Sequence, residues 1–291
     1  MTQSVFLIYN PRSGVRPGRD RAVSQMTNLL GRRGLRVKVR PTAAPGDATR
    51  LSGEALAARI DMVVVHGGDG TVNEAMQPLV GSETSLAVWP GGTANVLARE
   101  VALPDDLDRV ADMIATGRTR RVSVGRAGQR YFLLMAGIGL DAALVRAVNP
   151  TLKRLIGQGA FWMAALERLV RWESPPFLVE VEGRRYNATF ALLANVAAYA
   201  GSMRIAPRAH IESHHLDLCL VDWTDRWRFI RHVRAGFAGT VPGLPGVTYM
   251  QARDITVTEN AAVWVQVDGE LLARLPMTFK CVPAALSLVV P

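Results

Sequence analysis

Short apolar runs alternate with longer amphipathic stretches through the first 120 residues of the chain. The apolar runs have the length and β-branched character of buried strands, and between them apolar side chains recur at helical spacing, as in Val23, Met26 and Leu30. Strands that alternate with helices form a parallel sheet with helices on its faces. The pattern therefore predicts a doubly wound α/β domain over residues 1–120. Its predicted strands are Val5–Tyr9, Leu35–Arg40, Met62–Val65 and Leu86–Trp89.

The pattern changes after Thr119, where most apolar runs again have strand length but helical stretches become rare. This predicts a second, β-rich and sandwich-like domain over residues 121–280, with segment 280–291 as a candidate to return to the first domain. Two helical insertions interrupt it, Leu152–Trp172 and Trp227–Phe237. The predicted strands are Val122–Val124, Tyr131–Ala136, Phe177–Val181, Thr189–Ala194, Leu216–Val221, Ile255–Thr258, Val263–Val267 and Leu286–Val290.

A glycine-rich loop follows the third predicted strand, with the sequence Gly67-Gly68-Asp69-Gly70-Thr71 ahead of a helix. Glycines let the backbone approach phosphate oxygens closely, and the N-terminus of the following helix favours an anion. Asp69 is unusual among amides that face phosphate, unless it also engages Mg²⁺ or a hydroxyl. The alternative interpretation is a tight strand-to-helix turn in which Asp69 is a cap.

Two further loops end predicted strands of the same domain. Trp89–Asn95 contains Pro-Gly-Gly-Thr-Ala-Asn, and Asn10–Gly14 contains Asn-Pro-Arg-Ser-Gly. The carboxyl ends of parallel strands form the ligand crevice of an open sheet, so we expect all three loops to converge. Each of these two loops, taken alone, is also typical of an ordinary turn.

Composition narrows the function classes only slightly. With 49% hydrophobic and 20% charged residues the chain can bury a core, and its net charge of +9 favours a polyanionic partner. Nucleic acid, an anionic bilayer and a phosphorylated ligand all fit that charge, but no nucleic-acid motif accompanies it, so we expect no nucleic-acid partner. Cys219 and Cys281 predict buried structural thiols in a reducing compartment. Without an export signal or an apolar run of about 20 residues, we expect a cytoplasmic protein, at most peripheral to the inner face of the membrane.

The motifs, taken in chain order, resemble the diacylglycerol kinase catalytic domain family, in particular the bacterial kinases of diacylglycerol, sphingoid bases and phosphatidylglycerol. The resemblance covers nearly the whole chain. NAD kinases and phosphofructokinases have similar central loops, but the Pro-Gly-Gly-Thr-Ala-Asn loop and a late Asp-Gly-Glu separate this chain from them. Besides the three loops it rests on Thr42, Gly46-Asp47-Ala48, Gly137–Ala142, Lys153-Arg154, Gly157, Phe161, Asn195, Ala206-Pro207 and Asp268-Gly269-Glu270.

The resemblance implies ATP and Mg²⁺ as cofactors, with the ATP site in the cleft between the two domains and a lipid acceptor bound by the second. It places Asp69 at the catalytic Mg²⁺ through ATP, and the general base for the acceptor hydroxyl at Asp268 or Glu270. By composition alone Asp268-Gly269-Glu270 is equally a hairpin turn. The residues it assigns to ATP are Asn10, Pro11, Arg12, Ser13, Gly14, Thr42, Gly67, Gly68, Asp69, Gly70, Thr71, Val72, Asn73, Gly92, Thr93 and Asn95.

The chain departs from the family pattern in two loops. Where relatives hold a structural Mg²⁺ with an aspartate, this chain has Ser213, flanked by His210 and His215, which makes that metal site doubtful. The lysine that some relatives carry after Gly14 is absent, and Arg16 or Arg19 could supply the charge. Basic and aromatic residues are mixed in the insertions, as in surfaces that contact an anionic membrane, and ordinary amphipathic core helices with solvated arginines explain them about as well.

Three alternatives to a lipid kinase remain at this stage. One is a kinase of a soluble acceptor such as NAD or a sugar, one a catalytically silent nucleotide or lipid sensor, and one a nucleic-acid binder suggested by charge alone. Retention of Asp69, Asp268 and Glu270 argues against the sensor. A homodimer and the identity of the lipid are left open by the sequence.

Overall fold

The chain forms two compact units in a computed structural model, residues 1–122 with 284–291 and residues 123–283. The structure describes residues 3–14, 18–147, 175–199, 203–222, 226–258 and 260–291. The predicted architecture of an α/β unit followed by a β-rich unit is confirmed. The predicted helical insertion Leu152–Trp172 lies outside the described residues.

The first unit is built on parallel strands in the order β2-β1-β3-β4, and the end of the last strand of the chain pairs in parallel with β4. Each parallel crossover runs through a helix, as the sequence pattern predicts. The elements are β1 (Ser4–Tyr9), α1 (Arg19–Arg32), β2 (Arg36–Pro41), α2 (Asp47–Ala57), β3 (Met62–Gly67), α3 (Asp69–Met76), a 3₁₀ turn (Gln77–Leu79), β4 (Ser85–Pro90), α4 (Val96–Glu100) and α5 (Leu107–Thr116).

Helices cover both faces of this sheet. Helices α1 and α5 pack together over one face through Val23, Met26 and Ile114, while α2 and α3 pack against each other, against β1 and against β3. All six residues of β3 are buried, as expected for a central strand covered on both sides. The carboxyl ends of β1, β3 and β4 therefore open into the three loops that carry the candidate chemistry.

The second unit contains an antiparallel sheet in the order β12-β11-β10-β7-β14-β15, and further antiparallel strands β16-β13-β8-β9 with the β5-β6 hairpin. The two sets of strands share one apolar core that includes Phe132, Phe177 and Phe279. The elements are β5 (Thr119–Ala127), β6 (Arg130–Phe132), β7 (Met135–Gly139), α6 (Leu140–Ala147), β8 (Phe177–Val181), β9 (Arg184–Ala188), β10 (Phe190–Ala194), β11 (Leu216–Val221), α7 (Arg226–Ala238), a 3₁₀ turn (Val241–Gly243), β12 (Val247–Ala252), β13 (Asp254–Thr258), β14 (Trp264–Val267), β15 (Glu270–Arg274) and β16 (Met277–Val289).

One predicted strand is wrong in a way that matters for the site. Tyr131–Ala136 is not continuous, because the chain leaves the sheet at Leu133 and Leu134 between β6 and β7. The backbone N–H groups of these two residues donate to the carboxylate of Asp268. The last strand is also longer than predicted, beginning at Met277. No helix in the described ranges is long and apolar enough to cross a bilayer.

Candidate active site

The three loops at the carboxyl ends of β1, β3 and β4 interlock through their glycines. The N–H of Gly91 donates to the carbonyl of Gly67 at 2.9 Å, so the second and third of these loops continue the pairing of their strands. A Cβ on Gly92 would lie 2.4 Å from the Cα of Gly68, and a Cβ on Gly14 would lie 2.7 Å from the carbonyl oxygen of Gly91. These close backbone contacts exclude any side chain, which confirms the predicted convergence of the loops.

Polar side chains join the loop after β1 to the other two. Asn10 donates through Nδ2 to Oγ1 of Thr71 at 3.2 Å, and the hydroxyl of Ser13 donates to the carbonyl of Gly91 at 3.2 Å. The Arg19 guanidinium donates to the carbonyls of Asn10 at 2.5 Å and of Gly91 at 3.3 Å. Burial lowers the pKa of Arg19. Arg19 therefore fastens two loops together, a role that the sequence did not indicate; Arg16 lies outside the described residues.

Helix α3 begins inside the central loop, with Gly68 as its N-cap. The N–H of Val72 already bonds the carbonyl of Gly68, whereas Gly70 and Thr71 have no acceptor within the helix, as at every helix start. Backbone N–H groups at a helix N-terminus, beside glycines that admit a close ligand, suit a phosphate group. The loop therefore has the geometry of a phosphate-binding loop.

Asp69 reaches from the start of α3 to the start of α4. Its Oδ1 accepts the N–H of Leu97 at 3.4 Å. Burial raises the pKa of Asp69, and backbone N–H groups of Val96, Leu97 and Asn95 act in the opposite direction. Asp69 thus caps a helix, but α4 rather than its own. A metal ion bound by Asp69 would therefore share the carboxylate with backbone N–H groups at the start of α4.

His66, near the end of β3, is buried and packs against the start of the loop after β4. Its ring stacks on Trp89 with 3.7 Å between centroids, and its Nδ1 lies 3.1 Å from the carbonyl oxygen of Trp89. Burial lowers the pKa of His66 to about 4, so the imidazole is neutral at neutral pH. A Cβ on Gly91 would lie 2.6 Å from Cε1 of this ring, so the histidine and the glycine fit each other. Sequence analysis missed this pair, because nothing in the pattern indicates which ring His66 meets.

The remaining residues that the resemblance assigns to ATP differ in how far their side chains are exposed. Pro11, Arg12 and Thr93 are exposed at the loops, while Asn95 binds the backbone of Gly92 through both side-chain ends at 2.9 Å. Thr42 is half-buried and its N–H donates to the carbonyl of Tyr9. Val72 and Asn73, by contrast, are 4% and 2% exposed. Their side chains are therefore packed in the interior of the unit, where they cannot contact ATP directly.

In the second unit, Asp268 and Gly269 form a two-residue hairpin turn between β14 and β15, with φ of 49° and 84°. The Asp268 carboxylate accepts three backbone N–H groups, from Leu133 at 2.8 Å, Leu134 at 2.9 Å and Met135 at 3.0 Å. Its own N–H donates to the carbonyl of Met135. Both the carboxylate and the backbone N–H of Asp268 are therefore hydrogen-bonded to residues 133–135.

Glu270 is the next residue and has the opposite surroundings. It begins β15, the edge strand of the antiparallel sheet, and its side chain is 54% exposed. Arg130 lies 4.0 Å from one of its carboxylate oxygens. Of the two candidate bases, Glu270 is the one whose carboxylate faces solvent.

In the loop that carries Ser213, polar side chains accept hydrogen bonds from backbone N–H groups of the same loop. The ring Nδ1 of His210 accepts the N–H of Glu212 at 3.2 Å, and the Ser213 hydroxyl accepts the N–H of His215 at 3.2 Å. Within the described ranges, no group of three or more His, Cys, Asp or Glu residues is arranged to hold a metal ion.

Family models match both parts of the chain. Residues 4–127 match the diacylglycerol kinase catalytic domain, and residues 135–290, more than half of the chain, match the YegS C-terminal NAD kinase beta sandwich-like domain. The chain belongs to the diacylglycerol kinase catalytic domain family. This diacylglycerol kinase family member is therefore related to lipid kinases, and the family uses ATP.

Curated relatives of this diacylglycerol kinase family member match over nearly their full length. A protein named diacylglycerol kinase from Bacillus subtilis is 27% identical over 278 residues, covering 94% of this chain and 91% of that protein. One of the same name from Staphylococcus haemolyticus is 26% identical, covering 96% and 86%. A crystal structure of a diacylglycerol kinase from Bacillus anthracis has a TM-score of 0.81 at 22% identity, covering 99% of this chain and 97% of that one, and supports the fold.

Proposed function

We propose that this protein transfers the γ-phosphate of ATP to a hydroxyl group of a lipid such as diacylglycerol or a sphingoid base. The observation that carries the proposal is the set of three interlocked glycine loops around the N-terminus of α3. It is joined by the membership of a lipid kinase family and by an exposed carboxylate at Glu270. Phosphoryl transfer depends on alignment and charge neutralisation more than on covalent help, so these groups are a sufficient set.

The ATP phosphates would lie against the backbone of the central loop. Gly67, Gly68 and Gly92 let the loops pack closely around the start of α3, and the first N–H groups of α3 would donate to the phosphate oxygens. Arg12, exposed in the first loop, would add positive charge beside the phosphates. Arg19 acts indirectly, since its guanidinium keeps the first and third loops together.

Asp69 fits the family's divalent metal. Mg²⁺ in kinases is bound by one or two carboxylates together with substrate phosphates, and Asp69 offers one carboxylate at the start of α3, in the central loop. When bound, Mg²⁺ neutralises charge on the transferred phosphoryl group. Asp69 would hold the ion while its other contacts keep α4 and its loop in place.

Glu270 is the residue that we assign as general base. The acceptor hydroxyl needs a group that takes its proton during transfer, and that group must be free to reach it. Glu270 is exposed at the start of an edge strand, whereas the Asp268 carboxylate is occupied by three backbone N–H groups. We infer that Asp268 shapes the turn and that Glu270 takes the proton.

The lipid acceptor would be met at an anionic membrane surface, and α7 supplies the contact. Arg228, Arg231 and Arg234 are exposed on this helix, Phe237 is 53% exposed, and Arg226–Ala238 contains no acidic residue. Basic side chains beside an exposed aromatic ring are typical of interfacial helices. Sedimentation with phosphatidylglycerol vesicles, compared with phosphatidylcholine vesicles and with Arg231→Gln/Arg234→Gln, tests this contact. Equal sedimentation in all arms would contradict it.

The decisive experiment measures transfer of labelled γ-phosphate from ATP to a panel of micellar lipids: diacylglycerol, monoacylglycerol, sphingosine, ceramide and phosphatidylglycerol. NAD and a sugar serve as soluble acceptors. We expect one lipid class to be phosphorylated, and Glu270→Gln to lower kcat by on the order of 10²- to 10⁴-fold with the fold intact. Glu182→Gln is the matched control, because Glu182 is an exposed residue in another two-residue turn, between β8 and β9.

Each outcome separates the alternatives. Transfer to NAD or sugar without lipid would replace the lipid kinase with a kinase of a soluble acceptor. ATP binding without transfer to any acceptor would favour a sensor. If Asp268→Asn abolishes activity in a folded protein while Glu270→Gln does not, the assignment of the base is reversed.

A further inference from the structure

A buried carboxylate lies behind the turn that carries Glu270. Asp141, in the first turn of α6, is 1% exposed, and burial raises its pKa. The Nε2 group of Gln266 donates to its Oδ2 at 2.5 Å, and the Tyr199 hydroxyl donates to its Oδ1. Burying a carboxylate is costly unless it is hydrogen-bonded, so a group of this kind indicates a specific task.

Gln266 connects this carboxylate to the turn. Gln266 is itself 2% exposed, and its Oε1 accepts the N–H of Gly269 at 2.8 Å. An amide side chain has one donor end and one acceptor end. The Gln266 amide is held at both ends, since its Nε2 donates to Asp141 and its Oε1 accepts from Gly269, and this fixes its orientation.

The backbone around the network leaves space for it. A Cβ on Gly137 would lie 1.6 Å from Oδ2 of Asp141 and 2.7 Å from Nε2 of Gln266, so only glycine is accommodated at this place on β7. The turn is thus held from two directions: the Asp268 carboxylate binds the chain at residues 133–135, and Gly269 binds the Asp141–Gln266 pair.

We propose that Asp141 and Gln266 are positioning residues that hold the Asp268-Gly269 turn so that Glu270 presents its carboxylate in one orientation. This inference rests on the proposed function, in which Glu270 is the base. Neither residue touches substrate; both act through the N–H of Gly269. Tyr199 bonds the far oxygen of Asp141 and leaves the link from Gln266 to Gly269 untouched.

Gln266→Met tests the link, because it keeps the size of the side chain and removes both hydrogen bonds. We expect hydrogen exchange of the Gly269 amide to speed up at least ten-fold, and kcat to fall ten- to a hundred-fold with the KM for ATP changed less than two-fold. Tyr199→Phe is the matched control and should leave Gly269 exchange within three-fold of the wild-type rate. A kcat equal to that of the wild type in Gln266→Met, with faster exchange at Gly269, would overturn the proposal, as would unchanged exchange.

Gln266→Glu gives a pH signature that a general loss of stability would not produce. Two facing carboxyl groups share one proton, and the shared proton restores the link to Asp141 while the other oxygen still accepts from Gly269. We therefore expect the kcat of this variant, relative to the wild type, to rise as the pH is lowered. A relative kcat independent of pH would contradict the positioning role. Among the described residues, the other titratable and charged groups around α6 are Tyr199, which bonds Asp141, Arg146 on α6 itself, and Glu270 and Arg274 on β15.

Failure of this inference can be told apart from failure of the proposed function. Gly269 exchange requires no substrate, so it reports on the network even if the wild type phosphorylates none of the lipids. An inactive wild type would overturn the proposed function and with it the role of Glu270, while Gly269 exchange would still show whether Gln266 holds the turn. An active wild type with an unaffected Gln266→Met variant would overturn the positioning role alone.

Discussion

The loops of the first unit and the turn of the second unit carry the two parts of the proposed chemistry, and they are held in different ways. The loops pack closely because they lack side chains: Gly14, Gly68 and Gly92 lie against backbone, and Gly67 and Gly91 lie against the side chains of Thr71 and His66. The turn is held by side chains, those of Asp268 and Gln266, that reach backbone N–H groups. The first arrangement brings loop backbones into close contact at the start of α3, and the second leaves one side chain, Glu270, exposed.

The difference follows from what each part must do. A phosphate needs several N–H donors at close range, which only a backbone without side chains can bring together. A general base needs one carboxylate in a defined orientation, and a rigid turn supplies it. A second turn in the same unit, Glu182-Gly183 with φ of 51° and 76°, has the same backbone form and is exposed. It therefore serves as an internal reference for a turn without such support.

Removing the hydrogen bonds of Asp268 that hold the turn should have the largest effect on the free energy of unfolding. Asp268→Ala leaves three backbone N–H groups between β6 and β7 without their acceptor, and we expect it to lower the free energy of unfolding by about 4 kcal/mol. Glu182→Ala should change it by less than about 0.5 kcal/mol. Urea unfolding followed by tryptophan fluorescence measures both. Similar losses in the two variants would mean that the hydrogen bonds to Asp268 contribute nothing.

The contribution of His66 to the free energy of unfolding should depend on pH. The folded protein holds His66 with a pKa of about 4, whereas the unfolded imidazole takes a proton near pH 6.5, so protonation favours the unfolded state between these values. As the pH falls from 6.5 to 4, we expect the wild type to lose about 3 kcal/mol relative to His66→Phe, which cannot titrate. Unfolding curves of both proteins across this range measure the difference. A constant difference would show that His66 protonates in the folded protein without penalty.

A methyl group at the closest backbone contact should disturb the loops but not the turn. In Gly92→Ala the new Cβ would lie 2.4 Å from the Cα of Gly68, so the loops must separate. We expect the Kd for ATP to rise at least ten-fold, about 1.4 kcal/mol. Gly53→Ala is the control, since Gly53 lies in α2 with no atom within 4 Å of its Cβ position, and alanine there should stabilise the helix by about 0.5–1 kcal/mol. Calorimetric titration with ATP that gives equal affinities would contradict the close contact as a determinant of binding.

The first unit could be predicted from the sequence because its signals are local. Each strand, its loop and its helix are contiguous, and glycines at the strand ends mark the loops, so the convergence of Asn10–Gly14, Gly67–Thr71 and Trp89–Asn95 follows from the parallel sheet. What could not be predicted is which side chains join the loops. The contacts of Arg19 with Gly91 and of His66 with Trp89 depend on distances between separate strands.

The second unit was predicted only as a set of strands with two helical insertions, without the contacts between them. Asp268 meets residues more than 130 positions earlier in the chain, and Asp141 meets Gln266 across 125 positions. Periodicity describes one segment at a time and contains no information on such pairs. This is also why Tyr131–Ala136 was predicted as one strand, since Leu133 and Leu134 are not breaker residues and their N–H groups bind Asp268 far along the chain.

The smallest expected effect distinguishes the backbone conformation of the turn from the hydrogen bonds that hold it in place. Gly269 and Gly183 both have positive φ, and neither has an atom within 4 Å of its Cβ position, so alanine costs only left-handed backbone strain at each. We expect Gly269→Ala and Gly183→Ala each to lower the free energy of unfolding by about 1 kcal/mol. Since alanine keeps the N–H that binds Gln266, the support of the turn should add nothing to this cost, and urea unfolding should give losses within about 0.5 kcal/mol of each other. A clearly larger loss in Gly269→Ala would mean that the hydrogen bonds hold the turn too rigidly to adjust, and that its support and its backbone form cannot be treated as independent.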